Sequence, residues 1–122
     1  MSMSILQGAS FSKARMDGVD LTGSQMARVN LVEATLDGAD LTDAFLHQAN
    51  LSRSVLGGAN LRDANMNAAV LHGADLSDAL GLTAGQIARA KIDEETVLPS
   101  ELADHPSIRL MLDRQKHDVS EG

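Results

Sequence analysis

Between positions 39 and 61 the chain reads Ala39-Asp40-Leu41-Thr42-Asp43-Ala44-Phe45-Leu46-His47-Gln48-Ala49-Asn50-Leu51-Ser52-Arg53-Ser54-Val55-Leu56-Gly57-Gly58-Ala59-Asn60-Leu61. Leucine returns at every fifth position, and a small residue stands two places before each one. The same frame runs outward in both directions without a break. Its centres are Leu6, Phe11, Met16, Leu21, Met26, Leu31, Leu36, Leu41, Leu46, Leu51, Leu56, Leu61, Met66, Leu71 and Leu76, fifteen in succession and none polar. The column two places earlier holds ten Ala, three Ser (Ser4, Ser24, Ser54) and two Val (Val19, Val29).

Neither ordinary periodicity accounts for these columns. Around an α-helix a five-residue step rotates by about 140° per repeat and would spread leucine over every face. A plain strand needs strict alternation, which an odd step breaks in each repeat. A chain that bends at every repeat fits both columns, with two inward side chains per short side and the other three residues outside or in the bend. The remaining positions agree. Asp or Asn precedes the centre at 20, 30, 40, 50, 60, 65 and 75, and Gly follows two places after it at 8, 18, 23, 38, 58 and 73. These residue types accept the tight turns that bulkier ones resist.

The pattern A(D/N)LxxA(D/N)L, seen in Ala39-Asp40-Leu41, Ala49-Asn50-Leu51 and Ala59-Asn60-Leu61, resembles the pentapeptide repeat family. The resemblance implies an all-β solenoid, a right-handed quadrilateral β-helix with four repeats per coil and about four coils here. Residues 20 apart then stack. Phe11, Leu31, Leu51 and Leu71 form one internal column, and Met16, Leu36, Leu56 and Leu76 another. Leu21, Leu41 and Leu61 make the third, and Leu6, Met26, Leu46 and Met66 the fourth.

After Ala79 the five-residue frame is lost. The chain accordingly divides into a repeat domain at 4–79, a C-terminal cap with a short helix at 80–99, and an amphipathic helix with a disordered tail at 100–122. Thr83 is the expected N-cap of the short helix, and Ile87 and Ala90 are expected to face the last coil. The segment from Gly81 to Pro99 resembles the one that closes rods of this family, with Gly85 standing where a stronger helix former is usual. Beyond it, Pro106 at a helix start and Ile108, Met111, Leu112 and Gln115 predict about three turns of helix. A helix that short is marginal alone, so its apolar face needs the rod, a second copy or another protein. Only Met1 to Met3 precede the first repeat, which leaves that edge without an expected cap and suggests a homodimer through the rod end or the C-terminal helix.

Composition narrows the function. The chain of 122 residues has a formal charge of −7 and no cysteine, and its only aromatic residues are Phe11 and Phe45. Residues 4–78 carry nine acids and five bases, the remainder eight and five, so the acidity is spread along the chain. Direct nucleic-acid binding, which leans on basic residues, is disfavoured. No apolar run reaches the roughly 20 residues that span a bilayer. With neither a membrane segment nor a secretory signal expected, a cytoplasmic protein is anticipated. No two of His47, His72, His105 and His117 have metal-ligand spacing, no nucleophile has a base beside it, and no cofactor is expected.

The column arithmetic stacks Asp17 on Asp37, Asp20 on Asp40 and Asp43 on Asp63, predicting an acidic strip along one corner, relieved at Gly57, Gly58 and Asn60. Those six aspartates, with Ile108, Met111 and Leu112, are the candidate partner-binding residues. Phe45, Val55 and Val70 are outward apolar positions on different sides and form no single patch. The reading that results is a non-catalytic structural or protein-interaction module with an unidentified protein partner. The alternative, drawn from the family resemblance, is a DNA mimic that binds DNA gyrase or topoisomerase IV.

Overall fold

The computed structural model describes residues 4–106 and 108–112. Fourteen parallel bridges organise it, and twelve of them join residues 20 apart, from Ile5 with Gln25 to Asn60 with Leu80. Five-residue sides and a 20-residue return define a coil of four sides. The bridging residue is the one before each centre, and the sides follow one another through positions 5, 10, 15 and 20 of the first coil.

Each corner has the same construction. The N–H of the small residue bonds back to the carbonyl of the preceding centre, as in Ala49 to Leu46 at 3.0 Å. Two places after the centre the backbone turns left-handed, at Gly8, Gly18, Gly23, Gly38, Gly58 and Gly73 and also at eight non-glycine residues from Lys13 to Ala68. A β-turn with positive φ at its third residue is the geometry that favours glycine there. The centre and the left-handed residue each donate an N–H to the coil above, as Leu46 does to Asn65 at 2.8 Å and Gln48 to Asn67 at 2.9 Å. The bridging residue donates to the coil below, as Asn65 does to Ala44 at 2.9 Å.

One N–H per repeat, that of the residue after the centre, lacks a backbone partner. The Asp and Asn column supplies it. Asp20, Asn30, Asp40, Asn50, Asn60, Asn65 and Asp75 each accept from the residue two places on, at 3.0–3.1 Å. The column seen in the sequence is thus a set of side chains that complete the turn.

Inside, the centres from Leu21 to Leu76 are buried with the Ala column in a single hydrophobic cluster. Close packing of alternating large and small side chains leaves no call for aromatic bulk. Ser24 and Ser54 enter the core with their hydroxyls satisfied, Ser24 Oγ by the N–H of Ser4 and Ser54 by donating to Leu51 O at 2.7 Å. Leu6 and Phe11 are only half-buried, because no further coil lies beneath them among the described residues.

Past Ala79 the ladder does not stop with the five-residue frame. Leu80 pairs with Asn60, Lys91 with Val70 and Val97 with Asp75. Helix α1 (Ala84–Arg89) takes the place of the missing side, with Thr83 as N-cap in a reciprocal capping box with Gln86. Ile87 and Ala90 are buried against the core. Helix α2 (Ser100–Ala103) follows and buries Leu102. Residues 108–112 are again helical, and Ile108 is fully buried in the rod's own core cluster. Gln115 and the tail expected to be disordered lie outside the described residues.

Candidate functional site

The aspartates are placed by the turns that carry them. Asp20 and Asp40 sit at the bridging position of one side and accept the N–H groups of Thr22 and Thr42 at 3.1 and 3.0 Å. The hydrogen bonds from Thr22, side chain first and then backbone, hold the Asp20 carboxyl below the usual aspartate value, against the repulsion of Asp40. Thr42 does the same for Asp40. On the corner before this side, Asp17 accepts the N–H of Asp37 at 3.0 Å. A Cβ on Gly57 would lie 3.2 Å from the Asp37 carboxylate, so the bare glycine leaves room for that side chain. On the corner after the side, Asp43 and Asp63 hold left-handed positions at φ 60 and 58.

The six predicted aspartates therefore do not line one corner. They cover a whole flat face and both of its corners, because Asp17 and Asp43 are separated by the width of a side. Asp78, exposed on the Asp17 corner, joins them. Residues 17–23, 37–43, 57–63 and 77–83 hold these seven aspartates against one base, Arg62, a formal charge of −6. Arg62 approaches Asp63 at 3.8 Å with both side chains exposed. Such a pair contributes little.

The face across the rod has the opposite sign, which the sequence reading missed. Residues 7–13, 27–33, 47–53, 67–73 and 88–94 carry Lys13, Arg28, Arg53, Arg89 and Lys91 against Glu33, Asp93 and Glu94, a formal charge of +2. The separation emerges only when positions ten apart are assigned to opposite sides, so no run of like charge betrays it along the chain.

The other candidates fall differently. Ile108 is not an available contact: it is 0% exposed, inside the cluster formed by the chain's own core. Met111 and Leu112 are half-buried against the same cluster, so the C-terminal apolar face is covered by the rod up to residue 112. Phe45 and Val55 are exposed on opposite sides, Val70 is half-buried, and Ile5, Leu80, Val97 and Leu110 are further exposed apolar residues. His47 is half-buried with its Nδ1 shielded and unpaired, His72 is exposed, and His117 lies outside the described residues. Among the described residues no three potential ligands converge on a metal position, and no helix is long and apolar enough to cross a membrane.

Comparison with known proteins identifies the architecture. The family profile described as pentapeptide repeats matches residues 4–43 and 44–80 with eight copies. A pentapeptide repeat protein from the thylakoid lumen of Arabidopsis thaliana is 28% identical, with 76% of this chain covering 60% of that one at a TM-score of 0.64. The pentapeptide repeat protein Rfr23 from the cyanobacterium Cyanothece 51142 is 29% identical, with 80% of this chain covering 63% of that one at a TM-score of 0.65. The chain thus spans less than two thirds of the length of either. Both likenesses make the solenoid a right-handed β-helix. A plasmid-mediated fluoroquinolone resistance protein, QnrB1, is 19% identical at a TM-score of 0.38, too slight a likeness to carry an argument. No curated protein matches the sequence at a significant level.

Proposed function

We infer that this chain, which belongs to the pentapeptide repeat family, is a non-catalytic interaction module whose aspartate face engages a basic protein partner. The observation that carries this reading is the segregation of charge: −6 on one flat face of a molecule whose whole formal charge is −7. Oriented charge of one sign on a flat surface raises encounter rates with an oppositely charged surface and fixes its orientation. The pairing of Asp20 and Asp40 with their own turn N–H groups keeps both ionised and positioned before any partner arrives. In the same reading residues 80–99 act as a cap, since their bonds to the last coil occupy groups on which another strand would otherwise pair.

The test is capture from lysate with immobilised wild-type protein and with a variant carrying Asp20, Asp40, Asp43 and Asp63 all as Asn, read by quantitative mass spectrometry. A basic partner retained by the wild type, released by salt and lost by the variant supports the reading. Identical partner sets for the two proteins would sink it. A second reading, mimicry of DNA toward DNA gyrase or topoisomerase IV, draws on the same acidic face. It requires inhibition of supercoiling by the wild type and not by the variant. Self-association through the N-terminal coil is a further proposal, decided by sedimentation of the intact chain.

A further inference from the structure

At the upper edge of the last coil the ladder donors find partners in turn. Leu61 N–H bonds to Leu80 O and Ala68 N–H to Arg89 O, both at 2.8 Å, Leu71 N–H to Lys91 O at 2.8 Å, and Leu76 N–H to Val97 O at 2.7 Å. Three positions break the series among the described residues, Asp63, Met66 and Asp78, and the first two adjoin one gap. In the coil below, Asp43 and Leu46 donate to the carbonyls of Arg62 and Asn65 at 3.0 and 2.8 Å. Their equivalents one coil up, Asp63 and Met66, have no acceptor among the described residues. The chain leaves the ladder after Leu80 to build α1, which withdraws the carbonyls that would have stood above them.

A crevice of about 350 Å3 opens at this gap, between the 63–67 segment and α1, lined among others by Met66, Asn67, Thr83, Gln86 and Arg89. Met66 is only 2% exposed and lines this crevice. Buried backbone donors are seldom left without an acceptor. The neighbouring carbonyls, by contrast, are already taken. Gln86 Nε2 donates to Leu61 O at 2.8 Å and to Ala64 O at 3.1 Å. Along the backbone the gap therefore offers ladder donors beside two carbonyls already engaged, while the Asp63 carboxylate also lines it. An added peptide strand would bring N–H groups for which those two carbonyls are not free. A group that only accepts is complementary.

We propose that the crevice between residues 63–67 and α1 binds a carboxylate, held by the Met66 N–H and the Arg89 guanidinium. Its volume lies in the range of small-molecule sites. A monocarboxylate suits the place better than a phosphate, because the Asp63 side chain stands at the rim and the protein is acidic overall. The ligand is a free small acid or the C-terminus of a peptide, two sources of the same chemistry. This site is separate from the Asp20–Asp40 side and does not depend on the partner reading of that face.

Two-dimensional amide NMR of the full chain tests the proposal. Titration with sodium acetate, with a short peptide bearing a free C-terminus and with the same peptide amidated, against sodium chloride as control, follows the Asp63 and Met66 amides beside those of Asp43 and Leu46. The expected result is a saturable shift of the Met66 amide with acetate or with the free-acid peptide, whichever source applies, and none with the amidated one. Arg89→Gln, at an exposed position, is expected to weaken binding about tenfold, the loss of one charge-assisted hydrogen bond. An amidated peptide that binds as well as the free acid would overturn the proposal, as would a Met66 amide that moves no more than Leu46 in every titration.

Discussion

At the residue scale, two features of each repeat answer two local problems. The seven Asx residues satisfy the one N–H that the coil leaves unpaired, and six glycines occupy left-handed corners that eight other residues tolerate under strain. Asn serves the first purpose as well as Asp, since the acceptor atom is the same Oδ1. The carboxyls of Asp20 and Asp40 titrate below the usual value in the folded protein. Their stabilisation is therefore complete above the unfolded pKa and is lost as pH falls through the folded one. A variant with Asn at both positions, which lacks this charge-dependent contribution, is expected to melt slightly below wild type at pH 7 and to lose less on acidification below about pH 4. Equal acid sensitivity in the two proteins would refute the link. Gly81 is the strictest corner: at φ 72, a Cβ would stand 2.8 Å from the Arg62 Cβ and 2.9 Å from its Cα and N. Gly81→Ala is expected to cost about 2–3 kcal/mol in urea unfolding, combining φ strain with a backbone clash. Gln48→Gly, which relieves φ 60 at an exposed corner, is expected to be neutral or stabilising by up to about 1 kcal/mol.

At the element scale, the segment from 80 to 99 shows how a chain can leave its repeat and keep the ladder. Side chains take over where backbone is no longer in register. Gln86 reaches Leu61 O and Ala64 O, the Asp93 carboxylate accepts the N–H of Gly73 at 3.0 Å, and Thr96 Oγ1 donates to Leu71 O at 2.7 Å. Burial pushes the Asp93 carboxyl up, but the N–H of Gly73, the bonds from Thr96 and Glu95 and the charge of His72 together bring it below the ordinary value. One added residue before Lys91 and two before Val97 absorb α1 and the turn at 93–96. Gln86→Ala removes two hydrogen bonds to nearly buried carbonyls and one partner of the capping box. A loss of about 1–3 kcal/mol is expected, with faster hydrogen exchange at Ala64 and Leu61 and none at Leu41 or Leu46. Uniform acceleration along the rod would show instead that the segment is not a local element.

At the scale of the molecule, stability is a matter of stacked layers in contact only with their neighbours. Leu51 is fully buried in the middle of its column, between Leu31 and Leu71. Leu51→Ala is expected to cost about 2–5 kcal/mol, and Leu51→Asp to prevent folding. Ala49→Leu forces extra volume against the same layer and should cost at least about 1–3 kcal/mol. A melting temperature within a degree or so of wild type for any of the three would contradict the core assignment. Burial falls toward the first coil, where Leu6 and Phe11 are half-exposed and Ile5 is 74% exposed. Amide exchange should accordingly be faster over residues 5–16 than over 41–56. The same stacking gives the molecule its transverse electrostatics, since every coil repeats the side on which a charge is placed.

The sequence by itself determined the repeat frame, the inward columns, the turn chemistry and the N-cap at Thr83, because each depends on residues within five positions or on an unbroken period. It located the six aspartates but not their extent as a face, since that requires knowing which corners bound one side. Only the tertiary structure decided the rest. It continues the ladder through Lys91 and Val97, where the spacing shifts by one and two residues and no period survives to be read. It buries Ile108 against the rod, a choice among three possible partners that an amphipathic pattern cannot make. It opposes an acidic face to a basic one, and it opens the crevice at Met66, because both arise from atoms that meet across a coil and are distant along the chain.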